Sequence, residues 1–554
     1  MKITRIQIRN YKSISHIDIK PTDRLNIIIG ENSVGKSNIF DAINWLLGPV
    51  YPTFNSTLPQ DHYLGDLNNK IKIRLTFDDN KYLELAEEWE DNYGNIKSGL
   101  NISGDYIKDE VRQKYCSAYL GIDRAIVDHL PSNRWTLMGR ILQEINTHFN
   151  NDKFLDEGTG EEISKPELFK SKLREIRDGI LFSVQDEDGT EVMKKFIELL
   201  QIESAKQLNK PAEAFSVDFN LYDPWNFYRT LQLLVTDSDC GLEFHASKLG
   251  MGVQASISIA ILKAYSALKL KNNTPIFIDE PELFLHPQAQ RNFHKLLNEL
   301  ADNGTQIFLT THSPNFINVG SFNEIFIVRK NSTEGTYLSS AKCEDFITDL
   351  KIRLDINADN ESIMLQYRNA YEHTGDTQKA NEAFFAKAII LVEGESESLI
   401  LPYFFDLLKF DYLAKGITIV RCGGKNEIDR FYRLYSEFGI PCFMLFDGDK
   451  QHVGTRDEES TIKKNKAILK LFNQEAEFPD GVVYDDFLGF ETTFEKSIYY
   501  ETSQKGLKLY RLVRERITTI EQIPNWVFEF AGKLDALTHQ IATSKLLKES
   551  PTAA

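Results

Sequence analysis

Polar residues separate Ile3, Ile6 and Ile8 along the opening stretch MKITRIQIRNYKSI, and the apolar run Leu25 to Ile29 follows. This pattern predicts a hairpin of two strands, roughly 2–9 and 13–19, and then a buried third strand. The third strand ends at Gly30 and runs through GENSVGKSN into NIFDAINWLLG, where Ile39, Ile43, Leu46 and Leu47 recur at helical spacing. From about 105 to 213 the pattern changes to charged, helix-forming stretches such as KPELFKSKLREIRDGILFSV, which reads as an insertion. Strand signals return in PIFIDE and TQIFLTT and complete the interrupted sheet. After a polar connection over 351–383, starting irregular and ending helical, a second alternation begins. Its strands are AIILVEG, ITIVRCGG and CFMLFDGD, with helices around 398–408 and 427–438.

The chain is therefore expected to be α/β in more than one domain, as 554 residues already suggest. The pattern places a first domain at 1–350 with its insertion, a linker at 351–383 and a second domain at 384–554. An apolar fraction of 42%, a charged fraction of 26% and the lack of a membrane-length apolar run predict a soluble protein. The N-terminus lacks the continuous apolar stretch of a secretory signal. Cys116, Cys240, Cys343, Cys422 and Cys442 lie far apart without a CxxC pair, which argues against zinc and disulfides and fits a reducing cytoplasm. A net charge of −17 ordinarily argues against a nucleic-acid partner, because phosphate binding depends on Lys and Arg. Carboxylates gathered around divalent ions remove that objection, since the ions invert the local charge.

Gly30, Gly35, Lys36 and Ser37 satisfy GxxxxGK[ST], in which glycines let backbone N–H groups approach phosphate oxygens at a helix N-terminus. Lys36 is placed to reach the β- and γ-phosphates, and Ser37 to hold Mg²⁺. Asp279, ending PIFIDE, holds the metal shell from a second strand, and Glu280 beside it orients the attacking water. Asn32 and Asn38 belong to the same loop and are grouped with it. A glycine turn and an acidic strand end can arise separately. Strand, loop and helix in order, with a second acid-ended strand, point to nucleotide binding.

LGMGVQ (249–254), EPELFLHP after Asp279, and TTHSP resemble segments of an ABC-type ATPase. The resemblance assigns Gly250 and Gly252 to a signature segment that meets a partner's nucleotide, and makes His312 the switch histidine, with two protomers sandwiching ATP. His286 is read as shaping the turn before Pro287, and Gln60 in LPQDHY as a surface loop residue rather than the ABC glutamine.

AIILVEGESE sets Glu393 at a strand end and Glu397 one helical turn later, while CFMLFDGD sets Asp447 and Asp449 at the end of another strand. Gly394 and Gly448 permit the tight turns. Any one of these acids alone reads as a solvated loop residue. Together they form an oxygen-rich set that selects Mg²⁺ or Mn²⁺, with two ions suited to phosphodiester cleavage. Glu393 is read as a metal ligand or general base, Asp447 and Asp449 as ligands, and Glu397 as support for a second ion. The order E, then DxD, resembles a TOPRIM domain.

With RNYKSI and the P-loop, LGMGVQ, IDEPELFLHP, TTHSP, the junction ANEAFFAKAIILVEGESE and LFDGD, the chain resembles the overcoming lysogenization defect family of nucleases over nearly its whole length. The fold implied is an ABC-type P-loop ATPase interrupted by a mostly helical dimerisation insertion, followed by a Rossmann-like TOPRIM domain. The resemblance also implies a further acid and a catalytic lysine beyond DxD. Glu491 is chosen for the acid over Asp486 and Glu495, and Lys505 for the lysine over Lys508 and Lys533, although Gly506 stands where the family often has proline. The activity implied is a DNA endonuclease, homodimeric or larger, regulated by nucleotide and acting in bacterial defence against phage, in many members with a helicase or other companion. A non-cutting SMC-like DNA-binding ATPase is the alternative, and a topoisomerase or primase the less favoured one.

Overall fold

The protein is described from a computed structural model. It describes residues 1–48, 50–107, 109–112, 114–115, 117–121, 137–155, 162–208, 211, 223–228, 230–231, 233–236, 241–267, 274–331, 335–341, 347, 351, 359–372, 376–498 and 504–539. The chain divides into two compact units, one of Met1–Leu46, Pro52–Arg112 and Pro275–Ala554, the other of Leu47–Tyr51 and Gln113–Thr274. Cys116, Cys240 and Cys343 lie outside the described residues.

The second unit is mostly helical, with helices Leu137–Asn151, Lys165–Ile176, Val192–Leu208 and Met251–Ala267. Ser164 starts one of them by accepting the Glu167 N–H, the local chemistry that ends an extended segment and opens a helix. The insertion expected at about 105–213 overlaps this unit, which runs on to Thr274 and contains LGMGVQ.

Strands of the first unit lie in the order Asp105–Tyr106, Ile96–Ile102, Tyr82–Glu90, Lys72–Phe77, Ile3–Tyr11, Ile14–Ile19, Gly335–Ser340, Ile325–Asn331, Leu25–Ile29, Ile307–Thr310, Ile276–Asp279. The opening hairpin pairs Ile6 with Ile19 and Ile8 with Ile17, so its alternating isoleucines share the buried face. Leu25–Ile29, Ile307–Thr310 and Ile276–Asp279 run parallel, and every residue in them is buried. Burial on both faces is why these strands read as continuous apolar runs. Gln306 stitches the sheet to the N-terminus, accepting the Ile3 N–H at 2.7 Å and donating to the Ile3 and Thr22 carbonyls at 2.8 Å.

A four-stranded parallel sheet follows, in the order Ile417–Arg421, Ala388–Val392, Cys442–Asp447, Phe487–Phe490. Parallel pairing puts all four C-terminal ends on one edge, where sites form in such sheets. The connection before it contains helices Asn360–Glu372 and Thr377–Glu382. It is docked against both sheets. Asn381 accepts the Val319 N–H at 3.0 Å and donates to the Ile317 carbonyl at 2.7 Å, while the Tyr435 hydroxyl donates to the Ala380 carbonyl at 2.8 Å. Arg329 adds a direct tie, donating to the Phe438 carbonyl at 2.7 Å. Among the described residues no helix is long and apolar enough to cross a membrane.

Candidate active sites

The glycine loop is built by close approaches that side chains would forbid. A Cβ at Gly30 would lie 2.3 Å from the Val328 carbonyl oxygen, and one at Gly35 would lie 2.5 Å from Thr336 Oγ1 in a backbone of φ +109°. Lys36 begins the helix Lys36–Leu47 and folds its ammonium back onto the carbonyls of Gly30 and Glu31, at 3.0 and 2.9 Å. Burial holds its pKa below the ordinary value, with Glu280, Asp279 and Glu282 opposing. The RNYKSI segment braces this helix: Asn38 donates to Ser13 Oγ at 2.7 Å and Lys12 pairs with Asp41 at 2.8 Å. Gln60 is exposed in a single 3-10 turn and lines a cavity of about 700 Å³ with Lys12, Ser13 and Tyr63.

On the neighbouring strand ends, Thr310 Oγ1 donates to Asp279, whose carboxyl is pushed up by burial. The Glu280 N–H donates to Thr310, and Glu280 itself sits at φ +45°, an uncommon backbone for a non-glycine and one found at functional turns. His312 Nε2 stands 3.6 Å from Glu280 Oε1, and burial and then Lys36 keep its pKa below 6.5. Glu282 went unnoticed in the sequence. It accepts the backbone N–H of His312 and the Thr311 hydroxyl, the latter at 2.8 Å, and so fixes the loop carrying the histidine. Ser37 is the second residue of the loop helix, and Asn32 and His312 line a common cavity of about 620 Å³. Gly250 and Gly252 stand at the start of helix Met251–Ala267 in the other unit.

At the C-terminal edge of the parallel sheet, Glu393, Glu397, Asp447, Glu495 and Lys505 line a cavity of about 500 Å³, with Arg421 on its wall. Gly394 caps the helix Glu395–Leu408, which puts Glu397 in its first turn and buries it. Burial is the main force pushing Glu393 up to about 7, with Lys425 and the Asp447 N–H pulling the other way. Burial and the charge of Asp447 likewise push Glu397 up to about 7. Asp447 is also raised well above the usual carboxylate range, by burial and then Glu393. Glu393 Oε1 accepts the Asp447 N–H at 2.9 Å, and Asp447 Oδ1 accepts the Phe494 N–H at 2.8 Å.

Asp449 does not line that cavity. It sits at φ +56° beside it, with Oδ2 held 2.7 Å from the ammonium of Lys425, another residue the sequence reading passed over. Glu491, chosen from sequence as the further acid, points outward: its carboxylate is half exposed and pairs with Lys450 at 3.1 Å. Glu495 takes the inner position, 6% exposed and accepting from Ser396 Oγ at 3.3 Å. Asp486 precedes its strand and so lies at the opposite end of the sheet. Lys505 and Lys508 are both exposed and Lys533 pairs with Asp485, but of the three Lys505 is the one that lines the cavity. Gly506 adopts φ +60°, which proline cannot reach, and donates its N–H to Ser396 Oγ at 3.0 Å. That geometry accounts for the missing proline.

Among the described residues no three His, Cys, Asp or Glu side chains are drawn into a ready-made ligand cage. The donor set nevertheless suits a hard divalent ion: every candidate donor is a carboxylate oxygen, and burial leaves their mutual repulsion poorly screened.

A backbone cradle beside an acid-ended strand, followed in the same chain by a parallel sheet whose edge gathers carboxylates, fits a P-loop ATPase joined to a TOPRIM domain. Residues 1–115 and 92–317 match the family model of an AAA ATPase domain, and residues 384–449 match the overcoming lysogenization defect protein-like TOPRIM domain. The OLD nuclease of Thermus scotoductus is 30% identical over 84% of this chain and 85% of its own. The Old nuclease of Escherichia phage P2 is 24% identical over 81% of this chain and 77% of its own. Endonuclease GajA of Bacillus cereus is 22% identical over 96% of this chain and 87% of its own. The chain belongs to the OLD nuclease family, and it is a nuclease that carries an ATPase module.

Proposed function

We propose that this nuclease is a divalent-metal-dependent DNA endonuclease whose cutting is governed by nucleotide at the P-loop. The observation that supports it most is the meeting of Glu393, Glu397, Asp447, Glu495 and Lys505 around one 500 Å³ cavity. Glu393, Glu397, Asp447 and Glu495, with Asp449 alongside, are the residues that would hold Mg²⁺ or Mn²⁺. Such an ion, when bound, supplies charge stabilisation to a phosphodiester under attack. Glu393 would either ligate such an ion or accept the proton of the attacking water. Lys505 serves as an electrostatic partner for the scissile phosphate.

At the ATPase, Lys36 and the glycine loop would bind the phosphates, Ser37 and Asp279 would hold Mg²⁺, Glu280 would orient water and His312 would read the γ-phosphate. Gly250 and Gly252 serve the nucleotide of a second copy. The helix Val192–Leu208 exposes Phe196, Leu199 and Leu200, an apolar surface suited to a homodimer contact. Defence against phage, with or without a companion protein, is the setting we infer from the family. The test is plasmid nicking by wild type and Glu393→Ala, with Mg²⁺ or Mn²⁺ and with or without ATP. Metal-dependent open circles or linear DNA from wild type alone are expected. No cleavage by wild type in any combination, with a companion supplied, would sink the reading.

A further inference from the structure

Beside the acidic site, against the turn that carries Asp447 and Asp449, lies a buried cation that none of the steps above employs. Lys425 opens the helix Lys425–Glu437 immediately after Gly423 and Gly424, whose φ values of +89° and +139° turn the chain from the strand Ile417–Arg421. Its side chain is only 7% exposed, and its ammonium donates to Asp449 Oδ2 at 2.7 Å and Asn465 Oδ1 at 3.1 Å. Asn465, fully buried on the helix Glu458–Leu471, donates in turn to the Gly448 carbonyl at 2.8 Å. The other oxygen of Asp449 accepts from Gln451 Nε2 at 3.0 Å. Lys425 and Asn465 thus clamp the turn that carries Asp447 and Asp449. A lysine this deeply buried is tolerable only beside an opposite charge, and the one it has found belongs to a carboxylate of the acidic site.

Resting on the metal-site reading above, we propose that Lys425 is the resident counter-cation of the nuclease site. It is a positioning residue that holds Asp449 and its turn in the metal-free protein and gives up Asp449 Oδ2 to an incoming divalent ion. No covalent bond changes; one cation replaces another at a shared oxygen. Two consequences follow. The metal-free site is not left as uncompensated negative charge, and divalent affinity is set lower than the number of carboxylates alone would make it, because ammonium and metal repel at close range.

The experiment is titration calorimetry of the nucleotide-free full chain with MnCl₂, together with thermal melting in EDTA and in Mn²⁺, for wild type, Lys425→Met and Lys425→Arg. Lys425→Met is expected to melt lower than wild type in EDTA, to recover more on adding Mn²⁺, and to bind Mn²⁺ about tenfold more tightly. Lys425→Arg, which keeps the charge, is expected to stay within about threefold of wild type, a rescue that packing alone does not explain. Unchanged or weaker Mn²⁺ affinity in folded Lys425→Met, or Lys425→Arg behaving like it, overturns the proposal. Should Lys425→Met fail to fold, Lys425→Gln removes the charge, keeps a donor to Asp449 and is read in the same way. Asp447→Asn and Asp449→Asn separate the two readings. If Asp447→Asn leaves Mn²⁺ binding intact, the metal-site reading falls and this one with it, and if Asp449→Asn alone does so, only the role of Lys425 falls. If Asp449→Asn weakens binding while Lys425→Met changes nothing, again only the role of Lys425 falls.

Discussion

Replacing Glu397 by glutamine should stabilise the metal-free protein by an amount that grows from about zero at pH 5 to its full size above about pH 7. The side chain is 5% exposed, and burial raises its carboxyl from the ordinary 4.5 to about 7, helped by Asp447 and Glu495 and opposed by N–H groups at the helix start. Because the folded pKa lies above the unfolded one, the folded chain holds the proton more tightly. The associated stability is complete below about 4.5, falls as pH rises, and is lost above about 7. That interval corresponds to roughly 3 kcal/mol of ionisation penalty carried at pH 8. Glutamine is neutral at every pH and keeps an acceptor for the Gly394 N–H, though a weaker one, which returns about 1 kcal/mol. The net expectation is a gain of about 2 kcal/mol at pH 8 and about zero at pH 5. Urea denaturation in EDTA at the two pH values, with hydrogen exchange of strand Ala388–Val392 as the local readout, measures it. Mn²⁺ should reverse the order, stabilising wild type and leaving the variant behind. Equal gains at pH 5 and pH 8, or a loss at pH 8, would refute the argument that burial of charge dominates this position.

Glu495→Gln should abolish plasmid cleavage while Glu491→Gln leaves it within about twofold, since only the first faces the cavity and the second is an exposed ion pair worth little. Lys36→Ala should weaken ATP binding in calorimetry, whereas Glu280→Gln should bind ATP normally and release phosphate about 100-fold more slowly, the scale of a lost proton-handling group. Gly448→Ala should lower the melting temperature and cleavage together, because its Cβ would lie 2.4 Å from the Phe490 carbonyl oxygen, a backbone atom that cannot step aside, for about 2 kcal/mol or more. Thr310→Val should slow hydrolysis without unfolding the sheet, since it removes the hydroxyl that holds Asp279 and the Glu280 N–H.

What could be read from sequence depended on how local the signal was. The opening hairpin, the P-loop and the parallel strands announce themselves through period, glycine loops and apolar runs, all confined to a few consecutive residues. That Glu393 and Asp447 meet is legible for the same reason: each ends an apolar strand, and parallel strands bring their ends to one edge. Glu491 obeys that rule too, ending the strand Phe487–Phe490, yet it faces outward. The cause is tertiary. The Gly448 N–H donates to the Phe490 carbonyl and the Lys450 N–H to the Glu491 carbonyl, which turns the Glu491 side chain away. Asp447 then accepts the Phe494 N–H and draws in the short helix Phe494–Ser497, so that Glu495 arrives where a strand-end acid was expected.

Lys425 and Glu282 escaped notice for a related reason. Each looks like an ordinary charged residue near a turn, and its role depends on a partner distant in sequence: Asp449 for the lysine, the His312 N–H for the glutamate. Both act by holding a chemically obvious residue in place rather than by being obvious themselves. Motifs mark the groups that touch phosphate or metal. The groups that orient them are marked only by burial and a satisfied hydrogen bond, which arise once the chain has folded.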